Sequence, residues 1–180
     1  MPSIYLSPSM QPYDLYPNGG DEQYWMNKIA DAMVPLLEDC GVACRRNTPN
    51  TSTSAAIRES NASGCSLHLV LHSKSAPPEM EGKIKGPVVY YYEYSRSGKQ
   101  AADLFAENLR KVYPEPDLLN VAPATDLAEL SRTDAPAVLV ELAYHDNPQD
   151  EVWITANTDS IARSLARSAA EFLGVIFPDA

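Results

Sequence analysis

The sequence lacks the features that mark several large classes of protein. Its 180 residues include only three cysteines, Cys40, Cys44 and Cys65, with no CxxC pair, which argues against both a disulfide framework and a thiolate zinc knuckle. No run approaches the roughly 20 apolar residues that a membrane-spanning helix requires, and no internal repeat or low-complexity tract is present. We therefore expect a soluble globular protein with reduced thiols and no membrane span.

Positive charge is also scarce. Fourteen Lys and Arg residues face twenty-four Asp and Glu residues, which leaves a formal net charge of -10. A polyanion would be repelled over most of such a surface, so nucleic acid is not an expected partner. The chain enters a strand-like segment directly after Ser3, without the basic and apolar regions of a signal peptide. This predicts a cytoplasmic protein, although an extracytoplasmic site of action stays open.

Apolar runs alternate with segments of helical periodicity along the whole chain. The predicted strands lie at 3–6, 42–46, 66–72, 87–92 and 137–142, and the predicted helices at 21–40, 54–63, 97–113, 149–157 and 160–173. This alternation predicts one α/β domain over residues 1–180, with a mostly parallel or mixed twisted sheet of about six strands and helices on both faces. In such folds ligands bind beyond the carboxyl ends of the strands.

Three residues in this pattern are candidates for chemistry. His72 closes a buried strand and precedes a polar loop, although a strand-end histidine bonded to the backbone is the simpler interpretation. Glu22 lies in the first turn of a helix, where the helix dipole favours any carboxylate. Glu141 lies inside the apolar run 138–142, where an unpaired buried charge costs several kcal/mol. We therefore expect Glu141 to have an oppositely charged or hydrogen-bonding partner, or a role in chemistry.

His68 and His72 do not form a zinc-binding pair. On a strand that rises ~3.3 Å per residue, their Cα atoms are about 13 Å apart, too far for two ligands of one zinc ion. A helix would bring them together, but the flanking residues favour a strand and no HExxH motif is present. His68 is therefore expected in the core or behind the site.

These segments resemble, in order, the zinc-dependent N-acetylmuramoyl-L-alanine amidases of peptidoglycan metabolism. The resemblance spans nearly the whole chain, and the segment from Val140 to Asn147 matches best. In that family a loop after the first strand bears a zinc histidine, a Glu opening the first helix is the second ligand, and a strand-end histidine is the third. The resemblance implies that Glu22 and His72 are zinc ligands and that Glu141 is the general acid/base.

The first ligand departs from the family pattern, because Met10 stands at the aligned position with Gln11 beside it. The amide oxygen of Gln11 could replace the histidine, as a poorer zinc ligand than imidazole. His145, four residues after Glu141, is the other histidine that could complete the site. The simpler interpretation of Gln11 is an ordinary loop residue, and that of His145 is a surface histidine. The family's arginine has no counterpart here, since Arg58 is out of register.

Two functions remain open on this basis. The resemblance implies a hydrolase that cleaves the lactyl–L-alanine amide of peptidoglycan or muropeptides through a water molecule activated by Zn²⁺. The alternative is a non-catalytic module with a degenerate zinc site that binds muropeptides or another partner. Tyrosines 90, 91, 92 and 94 could stack on sugar rings, although their role as strand formers is the simpler interpretation.

Overall fold

The computed structural model describes residues 1–178 and contains a six-stranded sheet with the strand order β2-β1-β3-β6-β4-β5. The strands are β1 (Ser3–Pro8), β2 (Ala43–Arg46), β3 (Leu67–Lys74), β4 (Val88–Tyr92), β5 (Asn120–Ala124) and β6 (Ala137–Tyr144). β2, β1, β3 and β6 are parallel, whereas β4 pairs antiparallel with β6 and β5 runs parallel to β4. The predicted α/β domain with a mixed sheet is confirmed.

The helices are α1 (Glu22–Asp39), α2 (Thr53–Ser63), α3 (Arg96–Arg110), α4 (Ala128–Ser131), α5 (Pro148–Ala156) and α6 (Thr158–Phe172). α1 begins where the Asp21 side chain accepts a hydrogen bond from the backbone N–H of Tyr24 at 2.7 Å, as a helix N-cap does. Pro35 lies inside this helix. Two elements, β5 and the single turn of α4, were not predicted by the sequence pattern.

Two apolar clusters cover the two faces of the sheet. The larger cluster packs α1, α3, α5 and α6 against one face, and on β3 and β6 it includes Leu67, Leu69, Leu71, Val138, Val140 and Leu142. The smaller cluster, on the opposite face beside α4, includes Val70, Leu130 and Leu139. Because side chains alternate between the faces of a strand, His68, His72 and Glu141 all belong to this second face.

One buried carboxylate joins the end of the sheet to α5. Asp150 is 1% exposed and accepts hydrogen bonds from the Tyr113 hydroxyl at 2.6 Å and from the backbone N–H groups of Gly86 at 2.9 Å and Tyr144 at 3.0 Å. These bonds fix the loop that follows β6. In the described part of the chain, no helix is long and apolar enough to cross a membrane.

Candidate active site

The site is centred on a hydrogen-bonded pair of side chains, Glu22 and His72. The Nδ1 atom of His72 lies 2.6 Å from Oε1 of Glu22, and the backbone N–H of Ser73 donates to the same oxygen at 3.1 Å. Glu22 is only 1% exposed. Burial alone would lower the pKa of His72, but the hydrogen bond and negative charge of Glu22 outweigh it, so the pKa lies above its ordinary value. The structure thus brings together two of the predicted zinc ligands.

Gln11 also reaches this pair. With its amide nitrogen turned toward the carboxylates, it donates to Oε2 of Glu22 at 3.1 Å and to Oδ2 of Asp14 at 2.6 Å. With the amide oxygen turned toward the carboxylates instead, the oxygens of Gln11, Glu22 and Asp14 face one another. All three accept hydrogen bonds, so this arrangement is stable only if a cation or a proton lies among them. Gln11 is therefore placed where it can act either as a hydrogen-bond donor to Glu22 or as a third ligand beside it.

Glu141 lies next to His72 on the neighbouring strand. The two residues are register partners in the parallel pair of β3 and β6, on the same face of the sheet. The carboxylate of Glu141 forms an ion pair with Nζ of Lys74 at 2.5 Å, which answers the need for a partner that its apolar surroundings predicted. Lys74 follows His72 by two residues in β3, so both of these side chains lie on the face of the sheet that carries Glu141.

Lys74 is held in place by more than this carboxylate. Its Nζ lies 4.7 Å from the ring centroid of Tyr144 and 5.9 Å from that of Tyr90, within range of cation–π attraction. Burial alone would lower the pKa of Lys74, but the hydrogen bond and charge of Glu141 raise it above its ordinary value. The ammonium group is therefore a fixed positive charge beside the predicted general base.

His145 does not contact Glu22 or His72 directly. It is 3% exposed, its Nδ1 is 2.8 Å from the Ser73 hydroxyl, and its ring stacks on Tyr16 with 4.7 Å between centroids. Burial lowers the pKa of His145, against smaller raising effects led by the charge of Glu22. His145 is thus connected to the site through Ser73, and it is a buried histidine rather than a surface one.

His68 belongs to a buried polar network behind the site, as expected. Its Nδ1 is 2.8 Å from the Ser60 hydroxyl and its Nε2 is 3.1 Å from Oε1 of Glu129. The Ser7 hydroxyl donates to the same Glu129 oxygen at 2.5 Å. Because a carboxylate only accepts hydrogen bonds, this arrangement fits the His68 tautomer that carries its proton on Nε2.

The side chains present fit a zinc ion only in part. Glu22 and His72 converge on one point, as two ligands of one ion do. Among residues 1–178, however, no group of three His, Cys, Asp or Glu side chains is placed to hold a metal ion. A zinc ion here would have two strong ligands, and the Gln11 amide, which lies beside Glu22, is a candidate for the third.

Two cavities flank the Glu22, His72 and Glu141 centre. A groove of about 610 Å³ begins at Glu141 and is lined by Tyr90, Glu93 and residues 123–127. A smaller cleft of about 210 Å³ contains His72 and is lined by Met10, Gln11, Tyr13, Glu129 and the hydroxyl-bearing residues 7, 9 and 51–53. A substrate bond held between His72 and Glu141 would therefore have room on both sides.

The tyrosine-rich strand divides between the two faces of the sheet. Tyr90 lines the groove beside Glu141, and Tyr91 packs against the larger core. Tyr92 packs against the smaller cluster, and Tyr94 is 75% exposed. Arg58 is exposed on α2.

Sequence reasoning missed Lys74 and Glu129. Lys74 is two residues after His72, and side chains two residues apart on a strand lie on the same face. Extending the predicted strand by two residues would therefore have placed Lys74 beside His72. Glu129 carries no such signal, because it lies in a segment that was assigned to no element.

Comparison with known proteins identifies the family. Residues 13–171 match the sequence profile of the family described as N-acetylmuramoyl-L-alanine amidase. The chain therefore belongs to this family, and membership supports an amidase function directed at peptidoglycan. The match begins after Met10 and Gln11, so it does not include the loop in which the first ligand is replaced. A comparison with curated proteins found no match.

Solved structures of such amidases have the same fold. The chain is similar to amidase AmiC2 of Nostoc punctiforme, with a TM-score of 0.81, 17% identity, and coverage of 96% of this chain and 97% of that one. It is also similar to Ami1 of Mycobacterium smegmatis, with a TM-score of 0.81, 19% identity, and coverage of 96% of this chain and 97% of that one. The amidase of Clostridium difficile 630 has a TM-score of 0.85 and 14% identity, with coverage of 96% of this chain and 97% of that one.

Proposed function

We propose that the chain hydrolyses the amide bond between the lactyl group of N-acetylmuramic acid and L-alanine, in peptidoglycan or its muropeptide fragments. One observation carries this proposal. Glu141 lies beside the Glu22 and His72 pair, at matched positions of neighbouring parallel strands, and the centre opens onto cavities on both sides.

Glu22 and His72, with the amide oxygen of Gln11, would hold a zinc ion. When bound, zinc makes a water molecule more acidic and polarises the scissile carbonyl group. His145 is the alternative third ligand, but to reach the site it would have to leave the Ser73 hydroxyl and the Tyr16 ring. Gln11 needs only to turn its amide, so we favour it.

Glu141 serves as the general acid/base in this proposal. Its carboxylate accepts a proton from the attacking water and returns it to the leaving nitrogen. The water oxygen becomes part of the new lactyl carboxyl group, the carbon–nitrogen bond breaks, and the peptide leaves with a free L-alanine amine. Lys74 orients the carboxylate through the 2.5 Å contact, so that Glu141 is held in place before the substrate arrives.

A second function, a binding module without zinc, is supported by the hydrogen bonds of Glu22. With the Gln11 nitrogen facing it, this carboxylate accepts bonds from three donors, on Gln11, His72 and Ser73. A buried carboxylate with this number of donors is stable without a metal ion. In this alternative the cleft and groove bind a muropeptide without cleaving it.

Metal content and hydrolysis, measured together, separate the two functions. The protein is purified without added zinc, and zinc is measured by mass spectrometry in the wild type and in His72→Ala. Hydrolysis of a muramoyl peptide is compared for the wild type, Glu141→Gln and the control Glu107→Gln, whose carboxylate is 69% exposed on α3. The hydrolase proposal expects one zinc per chain, its loss in His72→Ala, and a rate about 100-fold or more lower in Glu141→Gln alone.

Other outcomes would reject parts of this proposal. If the wild type binds a muropeptide but holds no zinc and releases no product, the binding module is the correct function. If Glu141→Gln hydrolyses the substrate at the wild-type rate, then Glu141 is not the general base.

A further inference from the structure

We propose that the cleft beside His72 is a binding site for one amino-sugar ring, and that Glu129 and Tyr13 are its recognition residues. This inference rests on the proposed function, because it assigns the two parts of the substrate to the two cavities. The saccharide would lie in the cleft, and the peptide would lie in the groove beyond Glu141.

The size of each cavity supports this division. At about 210 Å³, the cleft is smaller than the roughly 300–1,000 Å³ of pockets for drug-sized ligands, so it has room for one ring and not for a longer chain. The groove is about three times larger, at about 610 Å³. Only the groove has space for several residues of a peptide stem.

The lining of the cleft suits a sugar. Hydroxyl-bearing residues at positions 7, 9 and 51–53 surround it, and such groups both donate to and accept from sugar hydroxyls. Tyr13 also lines the cleft and is 73% exposed, so its ring is available to pack against the apolar face of a pyranose.

Glu129 gives the cleft a fixed acceptor. This carboxylate is 6% exposed, yet it lines the cleft. The hydrogen bonds from Ser7 and His68 both go to its Oε1 atom, and within residues 1–178 we find no hydrogen bond to Oε2. Because Glu129 lines the cleft and Oε2 is not among the buried polar atoms that lack a partner, this oxygen can accept a hydrogen bond from a ligand in the cleft. A sugar hydroxyl or an acetamido N–H group in the cleft would supply the donor.

The network behind Glu129 holds this oxygen in position. His68 stacks on Tyr5 with 5.3 Å between ring centroids and is bonded on both ring nitrogens. Glu129 therefore cannot turn away without breaking buried contacts. Such preorganisation of a polar group is what selective binding of a hydroxyl or amide requires.

The test compares a ligand that carries the sugar with one that lacks it. N-acetylmuramoyl-L-alanyl-D-isoglutamine and L-alanyl-D-isoglutamine are titrated by calorimetry into the Glu141→Gln protein, which prevents turnover. Glu129→Gln, Tyr13→Ala and the control Tyr24→Ala are then added to that background. Tyr24 is 53% exposed and lines neither the cleft nor the groove.

We expect the sugar-bearing ligand to bind about tenfold or more weakly to Glu129→Gln, which places an amide donor where an acceptor was. Tyr13→Ala should weaken it about threefold to tenfold. Tyr24→Ala should have no effect, and the dipeptide should bind all the proteins equally. Should Glu129→Gln fold poorly, Tyr13→Ala still tests the cleft, because that side chain is exposed.

The proposal is overturned if Tyr13→Ala and a folded Glu129→Gln bind the sugar-bearing ligand as the parent does, or if they weaken both ligands to the same extent. It is also overturned if the parent does not prefer the sugar-bearing ligand. Its failure is distinct from failure of the proposed function, since hydrolysis is measured separately with Glu141 intact. If sugar binding depends on Glu129 but no hydrolysis is detected, the proposed hydrolase function is rejected and the amino-sugar site is retained.

Discussion

Replacing Lys74 by methionine tests the ion pair that holds the proposed general base. Methionine keeps an apolar stem beside Tyr90 and Tyr144 but removes the charge, so Glu141 loses its partner. We expect Lys74→Met to lower the free energy of unfolding by about 1–2 kcal/mol.

This magnitude follows from the burial of the two groups. The side chains of Lys74 and Glu141 are 26% and 21% exposed, and their charged atoms lie 2.5 Å apart. An exposed ion pair contributes about 0.2–1 kcal/mol, whereas removing one partner of a fully buried pair costs about 3–5 kcal/mol. The side chains of this pair are about one quarter exposed, so the cost of removing one partner should lie between these two values. Solvent screening of the partly exposed charges brings the cost closer to the lower value.

A double-mutant cycle measures the pair itself. Urea unfolding is followed for the wild type, Lys74→Met, Glu141→Gln and the double variant, with Lys99→Met as the control. Lys99 pairs with Asp103 on the surface of α3, where both side chains are more than half exposed, so this control should change little. The expected coupling between Lys74 and Glu141 is about 1 kcal/mol or more. A coupling near zero, or equal losses in Lys74→Met and Lys99→Met, would refute the idea that Lys74 fixes Glu141.

Three further predictions concern other parts of the site and its support. Gln11→Ala should weaken zinc binding and Met10→His should strengthen it, as titration of the apo protein would show, because the first change removes the proposed weak ligand and the second supplies an imidazole. Burial lowers the pKa of His145 from 6.5, so the stability that its neutral ring contributes above this value should be lost as the pH falls. The difference in unfolding free energy between the wild type and His145→Gln should shrink accordingly. Asp150→Ala should cost about 3 kcal/mol or more in thermal or urea unfolding, since three buried donors lose their acceptor.

The sheet could be predicted from sequence where a strand is buried on both faces. Residues 66–72 and 137–142 are almost entirely apolar, and the structure has β3 and β6 there. β5 could not be predicted in this way, because it lies at the edge of the sheet, is at most half-buried and contains Pro123. Edge strands lack the apolar run that burial imposes on central ones.

The site could be predicted where a residue conflicts with its local surroundings. Glu141 is a carboxylate in an apolar strand, and this conflict by itself indicates a partner. Glu129 shows no conflict in sequence, because only the fold brings it against Ser7 and His68, 122 and 61 residues away in the chain. The face on which Lys74 lies follows from its spacing from His72, but its pairing with Glu141 depends on the register between β3 and β6.

The hydrogen bond between His72 and Glu22 makes zinc binding and proton binding exclusive. A metal ion at this point must displace the proton that His72 places on Nδ1, and the pKa of His72 lies above its ordinary value. Below that pKa, the apparent zinc affinity should rise about tenfold for each unit of increasing pH, and above it the affinity should level off. Calorimetric titrations in two buffers of different ionisation enthalpy would count the protons released, and the expected number below the pKa is about one. Zinc binding that releases no proton and does not vary with pH would show that the ion lies elsewhere, and Glu22 would then be the acceptor of a hydrogen-bonded cluster rather than a ligand.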